Sequence, residues 1–469
     1  MNNLIKNEIT KILKKKSFYI IMIVILGYVI LSNAMYKYFY HSVSNYDYYT
    51  EDYIKMLEDE IKTLDTSNSS DLETYIVDKN DIDMYNLLKK YEKNTWQYKI
   101  ANEKGRNYIN NINEFTYRTK DENELENAKT EYEEFIKKLA SNDWKTFVNE
   151  EMEQLKASKD LSDTLESGVD IQIEVLQMRL DYNIEYGNDF RNEALSSYAQ
   201  NKMTVLQLEK ENNKTYEEKL EYQTSKSEME KSKYIIQNNK DIENYTNLRG
   251  SLINIFSRYE TFIIIAIVLI SGAIVSEEFN KGTIKLLLVR PYSRLKILLA
   301  KFITVIITVL FTIVITIFLQ LIVGGIFFGF DSLSIPAIVY NYQTNSLIQI
   351  NIAKYVSIIA LGKLPIYILI GTLAFVLSTL FNNTGVAITI SLLGYMASSI
   401  VNQFAYYYNI KWLKFFVTPN WDFTQFLYGK LPQMEGLTMP FSLIICIIYF
   451  AIRMIPAFVV FKKKNIKNI

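Results

Sequence analysis

From Leu364 to Ile410 the chain runs for 47 residues without an Asp, Glu, Lys or Arg. A helix needs about 20 apolar residues to cross the hydrocarbon of a bilayer, so this run is too long for one crossing and sufficient for two. The turn-forming cluster Asn382, Asn383, Thr384 and Gly385 divides it into a fourth and a fifth span. Four more charge-poor stretches complete a set of six: Ser17 to Tyr36, Thr261 to Ser276, Phe302 to Phe330, and about Leu437 to Phe461. The second has only 16 residues, which puts Arg258 and Glu260 at a membrane interface, and Lys363 with Pro365 opens the fourth at the outer interface.

The whole chain carries 51 basic and 51 acidic residues and a mean hydropathy near zero, averages that would suit a soluble enzyme. They conceal a partition. Residues 41 to 258 contain 44 acids against 29 bases, whereas the remainder holds 22 bases and 7 acids. An acidic block is thus inserted into a basic membrane protein. Basic clusters at Lys14 to Lys16 and Lys462 to Lys464 flank the first and last spans, and with an even number of spans both termini are expected in the cytoplasm.

The expected organisation is all-α. Residues 1 to 16 form a cytoplasmic amphipathic helix on the inner leaflet, with Ile5, Ile9, Ile12 and Leu13 on its apolar side. Residues 17 to 40 carry the first transmembrane helix, 41 to 258 an extracellular helical domain, and 259 to 277 the second transmembrane helix. A cytoplasmic loop occupies 278 to 296. Residues 297 to 469 hold helices three to six, with an outer re-entrant or interfacial segment near 404 to 436. The acidic block has no proline and four glycines, so few helix breakers. Leu125, Ala128, Tyr132, Phe135 and Leu139 keep a 3-4 spacing. Beyond Ser141, Asn142 and Asp143, a cap, Trp144, Phe147, Val148, Met152 and Leu155 resume it. Paired amphipathic helices, coiled-coil-like, are expected there.

The segment 276 to 301, SEEFNKGTIKLLLVRPYSRLKILLAK, sets two acids against six bases between two apolar runs, the balance of a cytoplasmic loop. Its order is Glu277 and Glu278, Gly282 and Thr283, a short apolar stretch, Arg290 and Pro291, Ser293 and Arg294, then Lys301. That order resembles the signature of ABC-2 type permeases, the membrane subunits of ATP-driven exporters, and it falls between the second and third of six spans, where that family has it. Similarity of layout covers residues 1 to 40 and 259 to 469, and motif similarity about 26 residues. The resemblance implies a dimer of permeases, or a heterodimer with a sister subunit, joined to two cytoplasmic ATPases. Glu277 and Glu278 would then close a helix, Gly282 and Thr283 form a turn, and Arg290, Pro291 and Arg294 meet the ATPase. Basic charge alone would describe a plain topological loop, and the residue order is what distinguishes the two. The large external domain departs from the commonest family members and leaves the substrate open, a membrane-active or antimicrobial peptide being one candidate.

No Gly-x-x-x-x-Gly-Lys-[Ser/Thr] is present, so ATP and Mg2+ are expected only in the partner ATPase, with no cofactor, metal or enzymatic activity in this chain and no nucleic-acid partner. His41 is the sole histidine. Arg453, nine positions before Lys462 in the last span, either lines a substrate path, pairs with an acid of another helix, or snorkels past Pro456 to the inner headgroups. A competing function is a non-transport membrane scaffold or receptor with an external coiled coil, of the phage-receptor or secretion-accessory type. An ion-coupled secondary transporter is disfavoured by the scarcity of acids in the spans.

Overall fold

The computed structural model describes residues 1–38, 49–141, 143–160, 166–242, 244, 246–284, 292–408 and 410–463. It comprises two units, residues 1–43 with 242–469, and residues 44–241.

The first unit begins with α1 (Asn2–Leu13) and α2 (Lys16–Tyr38). The second unit supplies α3 (Glu51–Glu60), α4 (Ser69–Leu88), α5 (Trp96–Asn113), α6 (Glu122–Ala140), α7 (Trp144–Asp160), α8 (Glu166–Asp181), α9 (Arg191–Glu209) and α10 (Tyr216–Asn238). The chain then returns to the first unit with α11 (Leu248–Ile253), α12 (Ile255–Ala273), α13 (Ser276–Asn280), α14 (Arg294–Phe328), α15 (Ile352–Leu380), α16 (Thr384–Tyr407) and α17 (Met439–Lys463). Six of these, α2, α12, α14, α15, α16 and α17, are long and apolar enough to cross a membrane. The protein is a helical, multi-pass membrane protein.

The turn between α15 and α16 falls at the expected Asn cluster, because the Asn383 side chain accepts from the amides of Gly385 and Val386 and so caps α16. Elsewhere the helices overrun the charge-poor windows. The α14 helix starts at Arg294, with Ser293 capping the amide of Lys296, so Lys296 and Lys301 are helical residues. The α15 helix starts at Ile352, capped by Asn351, and takes Lys363 and Pro365 into its interior. Lys363 therefore lies within the helix rather than at its start. It is largely buried, with ion pairs to Glu260 at 2.5 Å and Asp422 at 2.8 Å.

Among the described residues, the fold is all-α apart from one short hairpin. Ala337–Asn341 (β1) and Ser346–Ile350 (β2) form an antiparallel hairpin, Ala337 opposite Ile350 and Asn341 opposite Ser346. Asn341 accepts from the amides of Gln343 and Thr344, and Asn345 takes a left-handed φ of 49°, which closes a four-residue turn. Between α16 and α17 lie two 3-10 stretches, Lys411–Phe415 and Phe423–Gly429.

Within the bundle, α12 is the central helix, with Ile263, Ile264, Ile267 and Val268 buried. Glycine permits a close helix approach at Gly371, where an added Cβ would lie 3.1 Å from Ile267 and 3.4 Å from Val305 and Val309. A polar network joins three spans: the Gln320 carbonyl accepts from Tyr259 at 2.6 Å and Asn33 at 2.9 Å, and its amide donates to Asn33 and Ser251. Thr304, Thr308, Thr312 and Thr316 occupy the buried face of α14, each satisfying its hydroxyl on the carbonyl four residues back.

In the second unit α6 and α7 are the two amphipathic helices read from the spacing. Phe135, Leu139, Phe147 and Val148 meet Leu87, Trp96 and Ile100 in one core, and Asp143 caps α7. Asn142 lies outside the described residues. The α9 and α10 helices pack as an antiparallel pair, and a reciprocal capping box between Thr215 and Glu218 starts α10. This pair buries Ser225, Ser227 and Ser232 of α10 beside Ile235 and Ile236, small residues in place of a continuous Leu or Ile seam.

Candidate functional site

Of the residues singled out between the second and third spans, Glu277, Glu278 and Lys301 meet in a charged cluster built by α1, α13 and α14. The α12 helix ends at Ala273, and the chain restarts as the short α13. The break is held by α15: the Ser378 hydroxyl accepts from the amides of Val275 at 3.2 Å and Ser276 at 2.9 Å. Glu277 and Glu278 consequently do not close the second transmembrane helix. They occupy the first turn of α13.

Lys301 is the centre of the cluster. It is completely buried, 2.6 Å from Glu8 and 2.8 Å from Glu278, and donates a third contact to the Ile274 carbonyl at 3.1 Å. Lys11 bridges the same two acids, at 2.8 Å from each. Glu277 pairs with Lys15 and, at 2.6 Å, with Lys281. Burial would raise the Glu8 pKa, but Lys301 and Lys11 outweigh it and hold the carboxyl below its ordinary value. Burial likewise opposes charge on Lys11, yet Glu278 and Glu8 raise it. Glu277 is lowered by Lys15 and Lys281 against its own burial. Glu8, Lys11 and Glu277 are thus each held in the ionised form by a partner on another element or one turn away.

A recess of about 500 Å³ opens beside these groups, lined by Glu8, Lys11, Lys15, Glu277, Glu278 and Thr283 among others. Glu278 Oε2 is buried with no hydrogen-bond partner among the described residues. Gly282 takes a left-handed φ of 68° and has open space where a side chain would stand. Thr283 follows it, its hydroxyl 3.5 Å from the Glu278 carbonyl. Arg290 and Pro291 lie outside the described residues. Arg294 donates to the Lys462 carbonyl at 3.2 Å, tying the start of α14 to the end of α17.

Arg453 takes no part in this cluster. It donates to the Leu369 carbonyl of α15 at 3.0 Å and lies 5.9 Å from the Tyr449 ring, so a backbone acceptor on a neighbouring helix satisfies it within the bundle.

Glu8 is the residue that periodicity did not single out. Leu4, Glu8 and Ile12 are the buried residues of α1, while Leu13, assigned to the apolar side, is exposed. One signal was available: Glu8 is the lone acid in the first sixteen residues, placed one turn before Ile12 on the inward face. The Glu260, Lys363 and Asp422 cluster was also missed, because its members come from three segments far apart in sequence.

Residues 221–467 match the family model described as "Protein of unknown function (DUF2705)". The chain is 34% identical over 201 residues to the uncharacterized protein YhcI of Bacillus subtilis, covering 43% of this chain and 64% of that protein, slightly under two thirds of its length. It is 31% identical over 200 residues to the uncharacterized membrane protein YdbK of the same organism, covering 43% of this chain and 76% of that one. No solved structure matches the chain.

Proposed function

This chain belongs to the DUF2705 family, and we propose that it is the membrane-spanning permease subunit of an ABC exporter. In this reading the protein lies in a bacterial plasma membrane with both termini in the cytoplasm and residues 44–241 outside. Two cytoplasmic ATPase subunits bind ATP and Mg2+, a second permease copy or a sister subunit completes the pore, and the substrate is open, a membrane-active or antimicrobial peptide being one candidate.

The observation that carries the reading is the buried ion cluster. It joins α1 to α13 and α14, the two elements on either side of the segment carrying Arg290 and Pro291, through a lysine with no exposure to solvent. Separating those elements would strand charges in a low-dielectric interior, a cost of several kcal/mol. A push delivered to the loop by a partner therefore moves α14 and α1 together. Glu277, Lys281 and Thr283 at the recess offer that partner exposed or half-exposed polar contacts.

The test is isolation of the full-length chain in mild detergent, identification of any ATPase that stays with it, and measurement of ATP turnover. The chain alone should hydrolyse no ATP, and the complex should. Arg290→Ala combined with Arg294→Ala should leave insertion intact while ATPase retention or substrate-stimulated turnover falls sharply. Normal insertion with undiminished ATPase binding and export would reduce the loop to a topological marker. The independent core of residues 44–241 favours a second reading, a membrane receptor or scaffold, and absence of any ATPase in the isolated complex would select it.

A further inference from the structure

With 24 residues, α16 is about 36 Å long, against about 30 Å of hydrocarbon, so its final turn reaches the headgroup layer. The chain folds back there. The Ile410 amide donates to the Ala405 carbonyl at 3.0 Å, and Lys411–Phe415 forms the first 3-10 stretch. Side chains three apart eclipse in such a helix, which sorts this one into rows. Trp412 and Phe415 form an exposed aromatic row, whereas Leu413 is buried beside Ala405 and Leu437. Lys411 and Lys414 form a cationic row. Lys411 meets Glu435 at 3.2 Å with both side chains exposed, a pair worth little, and the Lys414 ammonium lies 5.5 Å from the Phe415 ring.

Non-helical backbone is tolerated at the edge of the hydrocarbon only where the protein satisfies its polar groups. Asn420 supplies this. It is fully buried, and its amide donates to the Lys414 and Phe416 carbonyls, at 2.6 Å each. Its Oδ1 accepts from Ser442 of α17 at 2.7 Å, which fixes the stretch to that helix. The Phe416 amide is spent on the Leu413 carbonyl. What is left facing outward is rings and ammonium groups. Trp412 is 61% exposed, and Tyr407 and Tyr408, at the end of α16, add two more rings, Tyr407 77% exposed. Along α16 itself Leu393, Met396 and Ile400 are exposed, the apolar surface that a spanning helix turns to lipid. Tyr and Trp settle at headgroup level and Lys reaches from there to the phosphates, whereas Lys is depleted from interfaces between proteins.

We propose that this face lies in the headgroup layer of a phospholipid leaflet, with Tyr407, Tyr408, Trp412 and Phe415 inserted about 5–10 Å to the acyl boundary and Lys411 and Lys414 against lipid phosphates. The stretch is then a fixed anchor that sets the depth of α16 and α17 in the bilayer. The inference does not depend on the transport reading, since it rests on the spans alone and a receptor would use the same anchor.

The test uses the full-length chain reconstituted into phosphatidylcholine vesicles, with Trp412 fluorescence isolated as the difference between wild type and Trp412→Phe. Lipids brominated near the carbonyl end of the acyl chain should quench that signal more than lipids brominated near the methyl end, and aqueous iodide should quench it weakly. Lys411→Gln combined with Lys414→Gln should shift the strongest quenching toward the methyl end, because the rings sink once the phosphate contacts are gone. If Trp412→Phe fails to fold, a nitroxide on Tyr407→Cys, the native Cys446 being buried, reports the same depth by its accessibility to oxygen against an aqueous nickel chelate. Strong iodide quenching without quenching by brominated lipid would place the face in water, and quenching by neither would place it against protein, such as a second copy. Either result overturns the proposal, as does a depth profile unchanged in the double lysine variant.

Discussion

Replacing Lys301 with Met tests the ion cluster directly, because Met keeps the apolar stem and deletes only the charge. The lysine touches Glu8 at 2.6 Å, Glu278 at 2.8 Å and the Ile274 carbonyl at 3.1 Å, with no solvent to substitute for any of them. Removing one partner of a buried pair costs about 3–5 kcal/mol. Here Lys11 remains 2.8 Å from both acids and is itself part-exposed, so the expected loss lies at the lower end, about 3 kcal/mol. At about 2–4 °C per kcal/mol, the thermal midpoint should fall on the order of 6–12 °C. Tryptophan fluorescence of detergent-solubilised protein, heated at one fixed rate, measures it. Combining Lys301→Met with Glu8→Gln should lose less than the two single losses added, with a coupling of about 1–3 kcal/mol. A Lys301→Met midpoint within about 2 °C of wild type, or strict additivity in the double variant, would refute the claim that the cluster holds α1 to α14.

The same cluster predicts a pH profile. Because the Glu8 pKa is lowered in the folded chain, its contribution is fully present above the ordinary glutamate value and is lost as pH falls through the lowered one. The raised Lys11 contributes until pH rises through its own elevated value. The amide-exchange protection factors of α1 should therefore be flat from neutral pH down to about 4 and fall below it; a fall already between about pH 7 and 5 would contradict the assignment. Gln320→Leu removes the hub shared by Asn33, Tyr259 and Ser251 and should cost about 0.6 to 1.7 kcal/mol, the range for hydrogen bonds between membrane helices. In the second unit, Gly105→Ala would bring a Cβ to 2.7 Å from Leu87 and should destabilise that core by about 1–3 kcal/mol, read as earlier proteolysis of residues 44–241. Cysteine placed by Ser69→Cys should react with an impermeant thiol reagent on intact cells and by Ser293→Cys should not, and reversed labelling would invert the proposed topology.

The number of spans and the turn between the fourth and fifth were legible in the sequence, because hydrocarbon tolerates so few charges that their absence alone outlines a crossing. The helices α6 and α7 themselves were legible for a similar reason, since a 3-4 spacing has one regular solution and Ala128, Phe135, Leu139, Phe147, Val148 and Met152 of that spacing are buried, although α6 packs against α5 and α7 against α8. Where the helices begin was not. Local charge argued that Lys363 and Lys301 stand at span ends, yet both are helical residues whose burial depends on acids from other segments. Glu8 shows the same limit from the opposite side, since an acid on the inward face of α1 reads as a flaw until Lys301 is placed against it. A one-dimensional pattern records each residue's own preference for water or lipid. Whether a charge is neutralised depends on which distant residues meet it, and only the packing of α1, α12, α13, α14 and α15 against one another decides that.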